Sequence, residues 1–192
     1  MKMNKIIAFL LLLTTGYICC DNTERNKLGM ARKYYAALDS SNVSGIASLL
    51  TDSLLTREIG YDYEQVFSLE EYIEWVKWDS VFEPTYEILE MALEEGNVRA
   101  TISKIDKRIS FLHEEPIVTS ELIRFDKRKI VSIERTNLIF NDSVFVKNRG
   151  EFLSWIDLNH PELNGFIHEQ TKKGGLKYLK AIQLYESKPQ KN

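Results

Sequence analysis

Cysteine is nearly absent from this 192-residue chain, since its two copies, Cys19 and Cys20, lie side by side near the N-terminus. A domain that follows Cys20 therefore has no thiols with which to form an internal disulfide or a thiolate zinc site. Such a domain must be stabilised by its apolar core alone. A chain of this length is large enough to bury one.

Proline and glycine are also scarce, and the positive and negative charges nearly balance. The sequence has 4 Pro and 9 Gly, and its 25 basic and 28 acidic residues give a formal net charge of -3. Without a biased tract, long disorder and repeat arrays are excluded. Without a basic excess, no nucleic-acid partner is expected. The 3 histidines lack the one-turn spacing of a zinc site, so we expect no metal and no cofactor.

The first twenty residues have the form of a signal peptide. Lys2 and Lys5 precede an apolar run at 6–13 that is too short to span a bilayer, and small residues follow it. The cysteine at the end resembles the lipid-attachment site of bacterial lipoproteins. We expect residues 1–19 to be removed and Cys20 to carry the lipid, with Cys19 as the second choice. The chain would then be exported to the bacterial cell envelope and held at a membrane by its lipid. A plain cleaved secretory peptide is the alternative.

Helical spacing of apolar residues follows the leader. It predicts a first helix at about 23–39 and a short second helix that Asn42 caps. Residues 53–59 are predicted to form a strand, and residues 60–65 a polar loop. Ser68 and Glu71 form a capping box for a third helix, and Phe67 with Tyr72 forms a hydrophobic staple beside it.

After Pro84 the spacing of apolar residues changes from that of a helix to that of a strand. Residues 85–94, 98–113, 117–125 and 130–140 are predicted to form four long strands of an antiparallel meander, joined by short polar turns. The third of these strands has polar residues on both faces, which suits a strongly bent sheet with a pocket on its concave side. Residues 141–192 are predicted to be helical again. In that tail, Pro161 is expected to start a helix and Gly174-Gly175 to end it.

This order of elements resembles the nuclear-transport-factor-2-like fold, the family of SnoaL-like cyclases and ketosteroid isomerase. The resemblance covers about residues 23–140 and is carried by the segments 34–39, 49–52, 68–72 and 130–134. It implies an α+β domain at 20–140 in which helices pack on a strongly curved antiparallel sheet, as in a cone or cystatin-like roll. The helical extension at 141–192 would pack on that domain or on a partner, and a homodimer through the sheet is possible in this family.

Five apolar side chains are expected to border the pocket of this cone and to bind a ligand: Tyr35, Phe67, Trp75, Trp78 and Phe82. No catalytic residue is assigned, and the candidates are Asp106, Tyr61, Tyr63 and His113. Asp106 falls in the middle of the second long strand among Lys104, Lys107 and Arg108, a composition typical of a solvated face. His113 stands beside two glutamates and a proline, which indicates an exposed turn. Glu121 and Arg135 are expected to pair across neighbouring strands.

Two functions remain open after this reading. The preferred one is a lipid-anchored domain that binds a small apolar ligand or a partner protein without catalysis. The alternative is an enzyme that performs acid-base chemistry on a hydrophobic small molecule, as an isomerase or cyclase does. Catalysis needs a buried acid with an oxyanion donor opposite it. An Asp106 or Glu121 carboxylate inside an enclosed apolar cavity, within reach of a tyrosine, would reverse this preference.

Overall fold

The computed structural model describes residues 24–189, so the leader and both cysteines lie outside the described residues. Helix α1 covers residues 24–39 and buries Ala31, Tyr34, Tyr35 and Leu38 at the helical spacing predicted above. Helix α2 (Val43–Leu49) starts at Asn42, whose side chain accepts a hydrogen bond from the Gly45 amide. These two predicted helices are confirmed.

Six strands form one strongly curved mixed sheet in the order β2-β1-β6-β5-β4-β3. The strands are β1 (Leu50–Glu58), β2 (Tyr63–Ser68), β3 (Thr85–Glu94), β4 (Asn97–Ile105), β5 (Ile117–Asp126) and β6 (Lys129–Ile139). Neighbouring strands run antiparallel except β1 and β6, which pair in parallel. The predicted α+β class, with helices packed on a curved sheet, is confirmed.

Helix α3 (Leu69–Ser80) begins where the sequence predicted it. The Ser68 side chain accepts from the Glu71 amide, and the Glu71 carboxylate accepts from the Ser68 amide, so both halves of the capping box are formed. The staple is present too, because the Phe67 and Tyr72 rings meet edge to face with centroids 5.6 Å apart. The capping box and the staple, both predicted from residues close in sequence, thus set the start of this helix.

Two predicted boundaries in the domain are wrong. Residues 60–65 are not a loop, because a 3₁₀ turn (Ile59–Tyr61) leads directly into the edge strand β2. The segment 98–113 is not one strand, since β4 ends at Ile105 and helix α4 (Lys107–His113) follows. The Asp106 side chain accepts from the Ile109 amide and so starts α4 as its N-cap, a role that Asp favours.

The tail consists of α5 (Asp142–Asn159), two 3₁₀ turns (Pro161–Leu163 and Phe166–His168) and α6 (Lys172–Glu186). Pro161 starts a helix as expected, but this is a 3₁₀ helix of three residues. The expectation that Gly174-Gly175 ends a helix is wrong, since both glycines lie in the first turn of α6. A Cβ on Gly174 would collide with the Glu169 carbonyl, and one on Gly175 would approach the Trp78 carbonyl to 3.0 Å. Gly174 thus lets the backbone at Glu169 lie against the start of α6, and Gly175 lets α6 pack closely on the end of α3.

Two apolar clusters form the core. The first fills the concave side of the sheet beneath α1, α2 and α3. The second joins the C-terminal end of α3 and helix α4 to the tail, and its buried members are Trp78, Phe82, Leu112, Phe152, Ile156, Leu163, Phe166, Tyr178, Ala181 and Ile182. The tail therefore packs on the domain and shares a core with it.

The shared core gives a direct test of how much the tail stabilises the protein. Phe152 is fully buried, with its ring against Phe111, Phe166 and Tyr178, whereas Leu158 on the same helix is 81% exposed. We expect Phe152→Ala to lower the free energy of unfolding by about 3–5 kcal/mol. Leu158→Ala should change it by less than about 0.5 kcal/mol. Urea denaturation of both variants measures the difference, and equal midpoints would show that this contact does not stabilise the fold.

Candidate functional site

A pocket of about 260 Å³ lies at one end of the curved sheet. It is formed where β1, β4 and β6 end and where β3 and β5 begin, and α1 and α3 cover it. Its lining residues are Tyr35, Leu38, Glu58, Tyr61, Trp75, Tyr86, Ile102, Lys104, Arg108, Ile109, Ile117, Thr119, Glu121, Arg135, Asn137 and Phe140. We refer to this space as the end pocket.

The walls of the end pocket are mainly aromatic and aliphatic. Tyr35 and Trp75, two of the five predicted ligand-binding residues, are among them. Trp75 also stacks on Tyr72, with ring centroids 5.3 Å apart and planes at 22°. The Tyr35 and Trp75 rings both pack against the main core.

The other three predicted ligand-binding residues lie in the core and do not line the end pocket. Phe67 packs on Tyr72 beneath α3, and Trp78 and Phe82 are buried in the cluster shared with the tail. They were predicted to border an opening because the sequence shows that α3 has an aromatic face. It does not show which other segment covers that face. The structure shows that the tail covers it.

The predicted pairing of Glu121 with Arg135 is confirmed, although it is a buried pair and not a surface one. The two residues oppose each other on β5 and β6, with Arg135 Nε 3.2 Å from Glu121 Oε1. The Tyr35 hydroxyl donates to Glu121 Oε2 at 2.9 Å, and the Thr119 hydroxyl donates to Oε1 at 3.0 Å. Three donors thus surround one carboxylate, which is how a buried charge is normally satisfied.

Burial and charge shift the titration of this network. Burial raises the pKa of Tyr35 well above its usual range, and the Glu121 charge raises it further. Burial opposes the charge of Arg135, but Glu121 and the neighbouring tyrosines hold the pKa of its guanidinium above the usual range. Tyr35 therefore stays protonated and Arg135 stays charged.

Asp106 occupies a different place from the one predicted. Its side chain is buried, caps α4, and lies 3.3 Å from Arg108 Nη2 and 3.7 Å from Lys104 Nζ. Lys104 also pairs with Asp79 at 2.5 Å, and the Tyr86 hydroxyl donates to Asp79 at 2.8 Å. The lysine and arginine that suggested a solvated strand face are instead the partners that allow this carboxylate to be buried.

Glu58 is a pocket residue that the sequence reading missed. It ends β1 and lines the end pocket, and its Oε1 lies 3.4 Å from Arg135 Nη1. Burial raises the pKa of its carboxyl, the Arg135 charge lowers it, and Glu121 raises it again, with a net rise. Its position in the sequence does not indicate a functional site. Glu58 lies beside Arg135 only because β1 pairs with β6, and the two residues are 77 positions apart.

The two candidate tyrosines are exposed. Tyr61 is at the pocket mouth, where its hydroxyl lies 3.3 Å from Asp142 Oδ1 and its ring meets Phe140. Tyr63 bonds to Gln65 on strand β2 and is not among the lining residues. Only Tyr61 of this pair can therefore reach a ligand in the end pocket.

His113 is buried, and the expectation of an exposed turn is wrong. It is the last residue of α4, its ring stacks on Phe145 with centroids 4.7 Å apart, and Phe140 meets it edge-on at 4.5 Å. The tail covers it, which local sequence does not reveal. Its Nδ1 has no hydrogen-bond partner among the described residues, and the ring does not line the end pocket.

A larger groove of about 600 Å³ lies on the outside between α4, α6 and the start of β3. It is more open and more polar than the end pocket, so the end pocket is the better candidate for a small-molecule site. Within residues 24–189, no group of His, Cys, Asp and Glu is arranged to hold a metal ion. No helix in that range is both long enough and apolar enough to cross a membrane.

Solved structures share this fold. Bal32a from a soil-derived mobile gene cassette matches 66% of this chain and 97% of its own, with 11% identity and a TM-score of 0.52. A candidate ketosteroid isomerase from Kribbella flavida matches 62% of this chain and 82% of its own (9% identity, TM-score 0.50). The epoxide hydrolase/cyclase-like enzyme SalBIII matches 59% and 92% (13% identity, TM-score 0.50).

The chain has the nuclear-transport-factor-2-like fold. At these identities the likeness shows architecture alone, since one fold supports many functions. No family model and no curated protein matches the sequence.

The burial of His113 predicts a pH dependence of stability. Burial and, next, the Arg108 charge lower the pKa of His113, while Asp106 and Asp142 oppose the shift. The unfolded chain therefore binds this proton at higher pH than the folded protein does. The contribution of His113 to stability is complete above about pH 6.5 and is lost as the pH falls through the folded pKa.

We expect His113→Phe to make the free energy of unfolding fall less steeply between pH 7.5 and 5. The exposed His168 serves as the control, and His168→Gln should keep the wild-type slope. Urea denaturation across this range is the measurement. An unchanged slope for His113→Phe would show that its protonation is not linked to folding.

Proposed function

We propose that this protein is exported, is anchored to a membrane by a lipid on Cys20, and binds a compact, largely apolar small molecule in the end pocket without changing it chemically. Cys19 is the second choice for the lipid. One observation carries the binding proposal: a pocket of about 260 Å³ with aromatic walls, whose cations are paired with carboxylates of the protein. Such a pocket offers apolar contact area at little cost in ordering its walls.

The outer face of the sheet favours a small molecule over a partner protein. Arg57 pairs there with Glu64 and Glu134, and Arg124 pairs with Glu134 as well. Charged residues are depleted from the centres of protein interfaces. The homodimer through the sheet thus stays a prediction and is not part of this proposal.

The Glu121 carboxylate bears directly on the choice between binding and catalysis. It lines the pocket within hydrogen-bond reach of Tyr35, which is the arrangement that favours an enzyme. However, Tyr35 donates to the carboxylate itself and is not an oxyanion donor opposite it. Thr119 and Arg135 also bind this carboxylate, and the cavity contains three cations. These contacts engage both oxygens of Glu121 in structural interactions, so binding is the preferred function.

Glu58 supports the enzyme as a second candidate. Its carboxyl has a raised pKa, has one partner at 3.4 Å, and shares the pocket with the Tyr61 hydroxyl. A carboxylate with a raised pKa is a better general base than an ordinary one. In this alternative, Glu58 removes a proton from a carbon acid while Tyr61 or Asn137 binds the substrate oxygen.

Blocking the end pocket tests the binding proposal. Ile117 is a partly exposed lining residue at the start of β5, so Ile117→Trp should fill the pocket without unfolding the protein. Val66→Trp on the exposed edge strand is the control. We expect benzyl alcohol to bind the wild type and Val66→Trp alike in a ligand-observed NMR titration, and Ile117→Trp to weaken its binding at least about tenfold.

Equal binding of benzyl alcohol by Ile117→Trp and the wild type would place the ligand elsewhere and contradict the proposal.

NMR also tests catalysis. If the protein removes a proton from the carbon next to a carbonyl group, small ketones incubated with it in D₂O will exchange that proton for deuterium and lose its signal. Exchange that requires Glu58 would make the enzyme the better description.

The anchor is tested independently of the pocket. If Cys20 carries the lipid, the full chain should fractionate with membranes, and the Cys19→Ser/Cys20→Ser double variant should be released to the soluble fraction. Single variants decide between the two cysteines. Release of the unaltered chain, or retention of the double variant, would contradict lipid anchoring.

A further inference from the structure

The charges around the end pocket do not balance. Two carboxylates line it, Glu58 and Glu121, and the lining cations Lys104 and Arg108 are paired with two more, Asp79 and Asp106. Arg135 is the third cation. Four carboxylates thus face three cations, and the excess is one negative charge.

The negative charge is least compensated at Glu58. Lys104 and Arg108 are matched by Asp79 and Asp106 behind the pocket wall, which leaves Arg135 to serve both Glu121 and Glu58. Glu121 also accepts hydrogen bonds from the Tyr35 and Thr119 hydroxyls, whereas Arg135 Nη1, at 3.4 Å, is the one donor to Glu58 among residues 24–189. Among residues 24–189, none donates a hydrogen bond to Glu58 Oε2. This oxygen therefore has room for a donor from a ligand.

The walls near Glu58 suit a cation. Tyr35, Tyr61 and Phe140 line the same pocket and present aromatic rings, which attract an ammonium group by their quadrupoles. On the far wall the protein already uses this interaction, because Lys104 Nζ lies 4.8 Å from the centre of the Tyr86 ring and 5.6 Å from that of Trp75. At the mouth, Asp142 adds a further negative charge beside Tyr61.

The size of the end pocket limits the ligand. A volume of about 260 Å³ corresponds to roughly nine water molecules at 30 Å³ each. A single six-membered ring with a one- or two-atom substituent fits this space.

We propose that the end pocket binds a compact primary amine with a single-ring or similarly small apolar body, whose ammonium group donates a hydrogen bond to Glu58. This inference rests on the proposed binding function and adds the class of ligand. The amine nitrogen supplies the missing cation, and the apolar body contacts the rings and Ile102, Ile109 and Ile117. A carboxylate ligand would instead add a second unmatched negative charge beside Glu58.

Three probes of nearly equal shape test the inference: benzylamine, benzyl alcohol and benzoate. Their binding is measured at pH 7.5 by ligand-observed NMR titration with the folded protein. We expect benzylamine to bind about tenfold more tightly than benzyl alcohol, because its ammonium group carries a positive charge that both the Glu58 carboxylate and the aromatic rings attract, whereas the hydroxyl group is neutral. Benzoate should bind more weakly than benzyl alcohol.

Glu58→Gln removes the charge while keeping the shape of the side chain. It should abolish the preference for benzylamine and leave benzyl alcohol binding within about twofold, which also shows that the pocket is still folded. Glu64→Gln is the matched control, since Glu64 is exposed on β2, pairs with Arg57 and does not line the pocket. It should keep the tenfold preference.

Acid provides a second readout. Glu58 faces Arg135 on β6, Glu121 on β5 and Tyr61 on the 3₁₀ turn, and burial raises its pKa. Lowering the pH from 7.5 to 4.5 should therefore weaken benzylamine binding and leave benzyl alcohol binding nearly unchanged, because protonated Glu58 no longer attracts the ammonium.

The outcomes separate this inference from the proposed function. The amine proposal is overturned if benzyl alcohol binds but benzylamine binds no more tightly, or if Glu58→Gln keeps the preference for benzylamine. Small-molecule binding stands in both cases. Tighter binding of benzoate than of benzylamine also overturns it. If none of the three probes binds, both the amine proposal and the binding function fail.

Discussion

The buried contact between Glu121 and Arg135 is the interaction on which the end pocket depends. It lies across β5 and β6, in the middle of the sheet, and it draws the Tyr35 hydroxyl of α1 and the Glu58 carboxylate of β1 to the same place. Removing one partner would leave an uncompensated buried charge, which is far more costly than losing a surface pair. The pair thus positions both a wall of the pocket and its unmatched carboxylate.

A second set of charges connects the pocket to the tail. Arg108 lines the pocket, pairs with Asp106, and places its guanidinium 5.1 Å from the centre of the Trp78 ring in the core shared with α5 and α6. Asp106 in turn caps α4, the helix that carries His113 against Phe145. The C-terminal helices therefore contribute to the wall behind the pocket as well as to stability.

Elements defined by neighbours in sequence were predictable. The capping box at Ser68 and Glu71 needs residues three positions apart, and α1 and α2 follow from spacing and from the Asn42 cap. Asp106 shows the limit, because an aspartate before an apolar run can cap a helix or lie in a strand. Its neighbours Lys104 and Arg108 suggested solvent, whereas in the fold they compensate a buried charge.

The start of α3 and the pairing of Glu121 with Arg135 could be predicted from the residues themselves. The α+β class and two walls of the pocket, Tyr35 and Trp75, came from the resemblance to the fold family. The first two predictions follow from a capping box and from two strands that are neighbours in sequence, which are local properties of the chain. The folded chain alone shows that Glu58 meets Arg135, that the tail covers Trp78, Phe82 and His113, and that Gly174 and Gly175 allow close approaches at the start of α6. Those outcomes depend on contacts between distant segments, because burial is set by whichever surface arrives to cover a residue.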